Sequence, residues 1–264
     1  METGLQGKTA LLTGGSSGIG KGIALALAAE GVRLAIASRR PDPAALDEIA
    51  AAGGAPVVRI AADVSQEGEV VRMVQAAIAG LGHLDFYINN AAWTWHQPIT
   101  KLDSNAWYST LNTNLSAAAW ATREVSRHLI ARRSGGIIII GSTVRFFPAY
   151  TETAYRVSKM GLRMLMQQLA IELAPYGIRV NMVTPGHYAT RMTGGIAPEV
   201  EDQLRGLIPL HRFGDPLEVG HAVAFLLSDK LSPYTVGGDL VIDGGLTLNP
   251  LPLRTADEIE QLNL

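Results

Sequence analysis

Four consecutive isoleucines at 137–140, with no polar residue between them, constrain this chain more than any other feature. A strand with one wetted face alternates apolar and polar residues, whereas an unbroken apolar run suits a parallel strand covered by helices on both faces. Short β-rich runs recur at 9–12, 33–37, 57–61, 85–88, 179–183 and 239–242. Between them, stretches rich in Ala, Leu, Glu and Arg at 18–30, 67–80, 105–132 and 154–173 read as helices. This β-α alternation predicts the α/β class: a doubly wound, Rossmann-type fold around a central seven-stranded parallel sheet. No long Pro-, Gly- and Ser-rich linker and no solenoid-period repeat interrupts it, so residues 1–264 are expected to form a single domain. Residues 186–215 break the rhythm with Gly, Pro and His and read as a substrate lid, and 246–264 as a C-terminal tail.

Composition narrows the partners. Hydrophobic residues make up 47% and charged residues 17%, enough apolar material for a large core. A formal charge of −2 without a basic run argues against nucleic acid and anionic lipid as partners. The chain has no cysteine, so disulfides, thiolate nucleophiles and cysteine metal sites are excluded. The six histidines form no HxxxH pair and the carboxylates no recognisable ligand spacing, so no catalytic metal is expected. The opening METGLQGKTALLTGG lacks the basic flank and apolar run of a signal peptide, and no stretch is long enough to span a bilayer. A cytoplasmic protein is expected.

The run at 9–12 leads directly into TGGSSGIG at 13–20 and then into KGIALALAAE. In that setting Gly14, Gly18 and Gly20 let the backbone turn tightly and approach a pyrophosphate, while N–H groups at the helix start face the anion. Thr13, Ser16, Ser17 and Ile19 fill out the same turn. The second strand ends in Ala37-Ser38-Arg39-Arg40, where an NAD site carries Asp or Glu for the ribose 2′-hydroxyl. Here Ser38 and the guanidinium groups of Arg39 and Arg40 suit a 2′-phosphate instead. NADP(H) is favoured, with NAD(H) as the other choice.

Tyr155 and Lys159 stand four residues apart on one helix face. A phenol ionises near ~10, too high for proton exchange at neutral pH, and a neighbouring ammonium plus a cationic nicotinamide would stabilise its phenolate. The pair is therefore a candidate acid/base.

These features resemble the short-chain dehydrogenase/reductase family. Gly14-xxx-Gly18-x-Gly20 matches its TGxxxGxG turn, Tyr155-xxx-Lys159 its YxxxK pair, and Ser142, thirteen residues before Tyr155, its catalytic serine. Asp63-Val64 matches the segment near the adenine, and Asn89-Asn90-Ala91-Ala92 the NNAG segment, with Ala92 in place of glycine. Asn114 matches the asparagine of the family's proton relay. Pro185, Gly186 and Thr190 match the segment that meets the nicotinamide carboxamide, and Asp243-Gly244-Gly245 the closing segment. The resemblance implies oxidoreductase chemistry on an alcohol or carbonyl, with Lys159 also holding the cofactor ribose. The residues after the last strand resemble bacterial short-chain sugar dehydrogenases of the glucose 1-dehydrogenase type, which points to a sugar or polyol.

Trp93, Trp95, His96, Arg145, His187 and Tyr188 fall in loops expected at the rim of this site and are the candidate substrate contacts. Three alternatives stand beside the alcohol/carbonyl reading. A 3-oxoacyl thioester reductase calls for a basic docking patch that the sequence does not display. A non-catalytic dinucleotide sensor has no need of Ser142, Tyr155 and Lys159, and a purely structural oligomer leaves the glycine turn unexplained. Around 160–173, apolar residues from Met160 to Leu173 cover more than one helix face, which predicts a homotetramer with this helix at an interface.

Overall fold

A computed structural model describes residues 2–188 and 198–248, the side chains of 198 and 199 excepted. Seven strands, β1 (Thr9–Thr13), β2 (Arg33–Ser38), β3 (Val58–Ala61), β4 (Phe86–Asn89), β5 (Gly135–Ile140), β6 (Ile178–Pro185) and β7 (Asp239–Ile242), form one sheet. Their order is β3-β2-β1-β4-β5-β6-β7 and every pairing is parallel. The order reverses between β1 and β4, and open α/β sheets bind ligands at the carboxyl side of such a switch point.

The isoleucine run behaves as its lack of alternation implies. Ile137 and Ile139 enter one core with Leu11, Tyr87 and Met166, while Ile138 and Ile140 enter the other with Leu12, Ile36 and Ile88. Each fully buried side chain of this size contributes about 2 kcal/mol. Helices α3 (Glu67–Leu81), α5 (Ala117–Arg132) and α6 (Thr153–Leu173) cover the first face, and α1 (Gly18–Ala29), α2 (Pro43–Gly53) and α8 (Pro216–Leu227) the second.

Local signals set the ends. Asp42 caps α2 ahead of Pro43, and Asp215 with Glu218 forms a capping box on α8. Helices α1 and α8 cross closely because glycine stands on both sides. A Cβ on Gly22 would lie 2.3 Å from the Pro216 backbone, and one on Gly220 2.6 Å from the Gly22 carbonyl.

The helix expected over 105–132 is not continuous. It divides into α4 (Ser104–Leu111), a π-helical turn at Asn112–Ser116 and α5, and the Ala117 N–H bonds back five residues to the Asn112 carbonyl. The lid expected over 186–215 includes α7 (Pro198–Gly206), and its residues 189–197, Thr190 among them, lie outside the described residues. Of the tail, Leu246–Leu248 forms one tight turn and 249–264 lie outside the described residues. On α6, Leu162, Met166, Ala170 and Leu173 face the core, while Val157, Met160, Met164 and Ile171 are exposed. No helix among the described residues is long and apolar enough to cross a membrane.

Candidate active site

Three stretches at the carboxyl ends of the strands build the site: the turn after β1, the segment after β4, and the facing turn after β5 with the start of α6. In the first, Gly14 adopts φ +70° and Gly18 φ +50°, in the left-handed region that glycine enters freely. At Gly20 a Cβ would lie 2.0 Å from the Gly14 carbonyl oxygen, so only glycine lets the helix start this close to the turn. Ser17, at the head of α1, makes no side-chain cap, which leaves the first N–H groups of that helix to another acceptor. This uncapped end beside a glycine cradle fits a dinucleotide pyrophosphate. Thr13, expected as a cofactor contact, is buried and uses its hydroxyl to accept from the N–H groups of Asn90 (3.0 Å) and Ala91 (3.1 Å). The Asn90 amide in turn donates to the Thr13 and Gly14 carbonyls at 3.0 and 3.2 Å. The asparagine segment thus braces the glycine turn.

Ser38 lies 3.4 Å from Ser16, hydroxyl to hydroxyl, at the mouth of the same turn. Arg39 and Arg40 are exposed, and neither makes an ion pair or side-chain hydrogen bond among the described residues. Asp63 accepts from the Ser65 N–H at 3.0 Å, a local turn that shapes the segment after β3, while Val64 is buried beneath it.

On α6 the Lys159 side chain is 3% exposed and donates to the Ile140 carbonyl at 3.1 Å, so its ammonium is fixed at the end of β5. Burial pushes it down to about 8. Its Nζ lies 5.7 Å from the centre of the Tyr155 ring. The Tyr155 phenol lies above its ordinary value in this structure. Burial dominates and raises it, aided by the nearby Glu152 carboxylate, while hydrogen bonding to Ser142 and the Arg156 charge pull it down. Ser142 therefore stands against Tyr155 and favours its phenolate. Asn114 is fully buried in the π turn, with its amide clamped on Trp93 (2.8 Å from the N–H, 2.9 Å to the carbonyl) and donating to Ser158 at 3.0 Å. It joins the segment after β4 to α6.

Of the candidate substrate contacts, Trp93 and Trp95 stack 5.8 Å apart at 17°, and Trp95 and His96 are exposed. His96 faces Glu152 at 3.7 Å, and the Gln97 N–H donates to the Thr151 carbonyl at 2.8 Å, so the two loops meet at the rim. His187 is half-buried beside Phe213, ring centres 6.2 Å apart. Two expectations fail. Arg145 turns away from the rim and is buried against Asp239, which satisfies its charge. Tyr188 is buried and donates to the Ile242 carbonyl at 3.0 Å, anchoring the chain after β6. It also lines a hollow of about 120 Å³ with His187, Leu210, Arg212 and Asp243, beside the end of β7. Sequence reasoning places Glu152 on the rim but missed Arg156 and Asp239 as functional neighbours. The four-residue spacing of Glu152 and Arg156 was a usable signal, but nothing local pairs Arg145 with a residue 94 positions on. Among the described residues no group of three or more His, Asp or Glu side chains is arranged to hold a metal ion.

A family model described as enoyl-(acyl carrier protein) reductase matches residues 14–247. The chain belongs to the short-chain dehydrogenase/reductase family. Curated relatives in this family include the 3-oxoacyl-(acyl-carrier-protein) reductases FabG of Staphylococcus epidermidis and Staphylococcus aureus, each 34% identical over 90% of this chain and 98% of the relative. Among solved structures, a short-chain type dehydrogenase/reductase from Mycobacterium marinum is similar at TM-score 0.87 and 33% identity, covering 93% of this chain and 97% of that one. A candidate gluconate dehydrogenase from Agrobacterium tumefaciens reaches TM-score 0.84 at 32% identity, over 92% and 97%. As a short-chain dehydrogenase/reductase the chain is an oxidoreductase, of a family that binds NAD(P)(H).

Proposed function

We propose that this enzyme interconverts a secondary alcohol, with sugar and polyol hydroxyls as the favoured class, and the matching carbonyl, with Tyr155 as acid/base and NADP(H) as the preferred cofactor. The convergence of Ser142, Tyr155 and Lys159 at the carboxyl end of β5 carries this reading. When bound, the nicotinamide cofactor supplies or accepts the hydride. The residues that would hold it are the turn from Thr13 to Gly20, Ser38, Arg39 and Arg40 beside the ribose, Asp63 and Val64, Asn90 and Ala91, Lys159, and the Pro185–Gly186 segment with Thr190.

For reduction, the Ser142 hydroxyl holds the carbonyl oxygen while Tyr155 O–H delivers its proton to that oxygen; for oxidation the proton returns to the phenolate. A phenol raised by burial holds its proton firmly, so positive charge entering the site with the cofactor is what would bring it into range. The unpaired Arg39 and Arg40 support the NADP(H) preference, because two free guanidinium groups beside Ser38 suit a phosphate better than a neutral hydroxyl. The proposed setting is cytosolic, with a small-molecule substrate, no nucleic-acid partner and a homotetrameric assembly through the exposed stripe on α6.

A second reading, reduction of a 3-oxoacyl thioester, is favoured by the names of the curated relatives. A screen of sugars, polyols, cyclic and aliphatic ketones and acetoacetyl thioesters, followed by NADPH absorbance, tests both. Turnover of hydroxylated substrates above the thioester supports the first, and the reverse order replaces it with the second.

A further inference from the structure

The turn that carries Ser142 is gripped from two sides by guanidinium groups. From within it, Arg145, only 8% exposed, runs inward and its Nη2 donates to Thr184 at 3.4 Å and to the Asp239 carboxylate. The other Asp239 oxygen accepts from the Thr184 hydroxyl at 2.6 Å, and Arg163 Nε approaches the carboxylate to 3.8 Å. The Phe146 ring centre lies 4.0 Å from the Arg145 guanidinium carbon. From outside, Arg156 donates to the Val144 carbonyl at 2.7 Å and to the Phe147 carbonyl, and Glu152 holds it by a bond of 2.8 Å to Nε.

Three members of this network belong to segments that deliver a site residue. Thr184 precedes Pro185 and Gly186 on β6, Arg163 lies one turn beyond Lys159 on α6, and Arg145 is three residues past Ser142. Burying a guanidinium is unfavourable, and the Arg145 Nε has no partner among the described residues. Apolar residues would fill this space at lower cost but without direction, whereas a charge-assisted network fixes orientation.

We propose that Arg145 and Asp239 are positioning residues for proton transfer: with Arg156 on the opposite side, they fix the turn after β5 so that the Ser142 hydroxyl meets the Tyr155 phenol. The proposal rests on the acid/base reading of Tyr155. Its test uses Arg145→Met, which keeps the buried stem, and Asp239→Asn, which keeps the shape of the Thr184 contact. The readout is Tyr155 ionisation, taken from the ultraviolet difference between each protein and its Tyr155→Phe counterpart. Ser142 faces the phenol from its turn, Glu152 stands at the head of its helix, Arg156 and Lys159 lie on that helix, and His187 follows β6; neither variant substitutes any of them.

A displaced Ser142 hydroxyl removes a bond that favours the phenolate, so the ionisation is expected about one pH unit higher in both variants. Turnover of the best substrate from the screen is expected to fall about 100-fold, with cofactor affinity held within about twofold. Arg145→Lys, which retains the charge, is expected to restore most of both. If both variants fold and lose only melting temperature, with Tyr155 ionisation and turnover unmoved, the positioning role is overturned while the role of Tyr155 stands. If Tyr155→Phe alone keeps full turnover, the underlying reading fails instead. Should one variant not fold, the other and Arg145→Lys carry the same comparison.

Discussion

Lys159 is held 5.7 Å from the centre of the Tyr155 ring by a hydrogen bond to the carbonyl of Ile140, the last residue of strand β5. A buried ammonium in that position costs stability. Its ionisation falls from 10.5 to about 8 on burial, so the folded state binds fewer protons than the unfolded chain between those values. The destabilisation is therefore fully present below pH 8 and relieved as pH rises through that window. Lys159→Met is expected to raise Tm at pH 7 by roughly a few degrees, a gain that shrinks toward pH 10, while removing turnover. Melting curves at the two pH values check this; an unchanged or lower Tm at pH 7 contradicts it.

At the opposite end of the sheet, Asp85 joins β1 to the start of β4. It accepts from the Thr9 N–H at 2.9 Å and the Thr9 hydroxyl at 3.1 Å, with His83, Arg132 and Lys8 around it. Burial alone would raise this carboxyl, but the Thr9 bonds and the Lys8 and His83 charges outweigh it and leave it lowered from 3.8. Its contribution to stability is present above that unfolded value and is lost as pH falls through the folded one. Asp85→Asn is expected to lower stability by about 2 kcal/mol at pH 7 and to reduce the acid sensitivity of unfolding, with cofactor binding intact. Denaturant titrations at neutral and acid pH measure both effects. A variant as stable as wild type at pH 7 would show that the network contributes nothing.

Cofactor choice is tested at the end of β2. Ser38→Asp with Arg39→Leu adds a repulsive charge and removes a phosphate partner, so preference is expected to reverse toward NAD(H). Comparative dissociation constants decide it, and wild-type protein that binds NAD(H) at least as tightly as NADP(H) contradicts the assignment.

The proposed homotetramer would cover the exposed apolar stripe on α6, Val157, Met160, Met164 and Ile171. Light scattering at micromolar concentration is expected to report about four chain masses, and Met164→Glu with Ile171→Glu to lower that number. A stable, fully active monomer refutes the assembly, whereas a dimer defeats only its stoichiometry.

Much of this architecture was legible in the residues. The isoleucine run named a strand buried on both faces, and the glycine turn between β1 and α1 named its own conformation, because both are local signals. Residues 105–132 read as one helix by composition, but the buried demands of Asn114 open a π turn, and those come from Trp93 and Ser158. Arg145 read as a rim residue because loop arginines face solvent by default, and its partner lies on the last strand. The raised Tyr155 phenol was hidden for the same reason: the helical spacing supplies the ammonium, while burial is set by the whole fold.

Tyr155→Phe tests the central claim most directly, since it deletes one oxygen and leaves the ring packed. Turnover of the best substrate is expected to fall by ~100- to 10,000-fold, the usual worth of a general acid/base, with NADPH affinity nearly unchanged. Retention of more than half the wild-type rate, where chemistry limits turnover, would contradict the account.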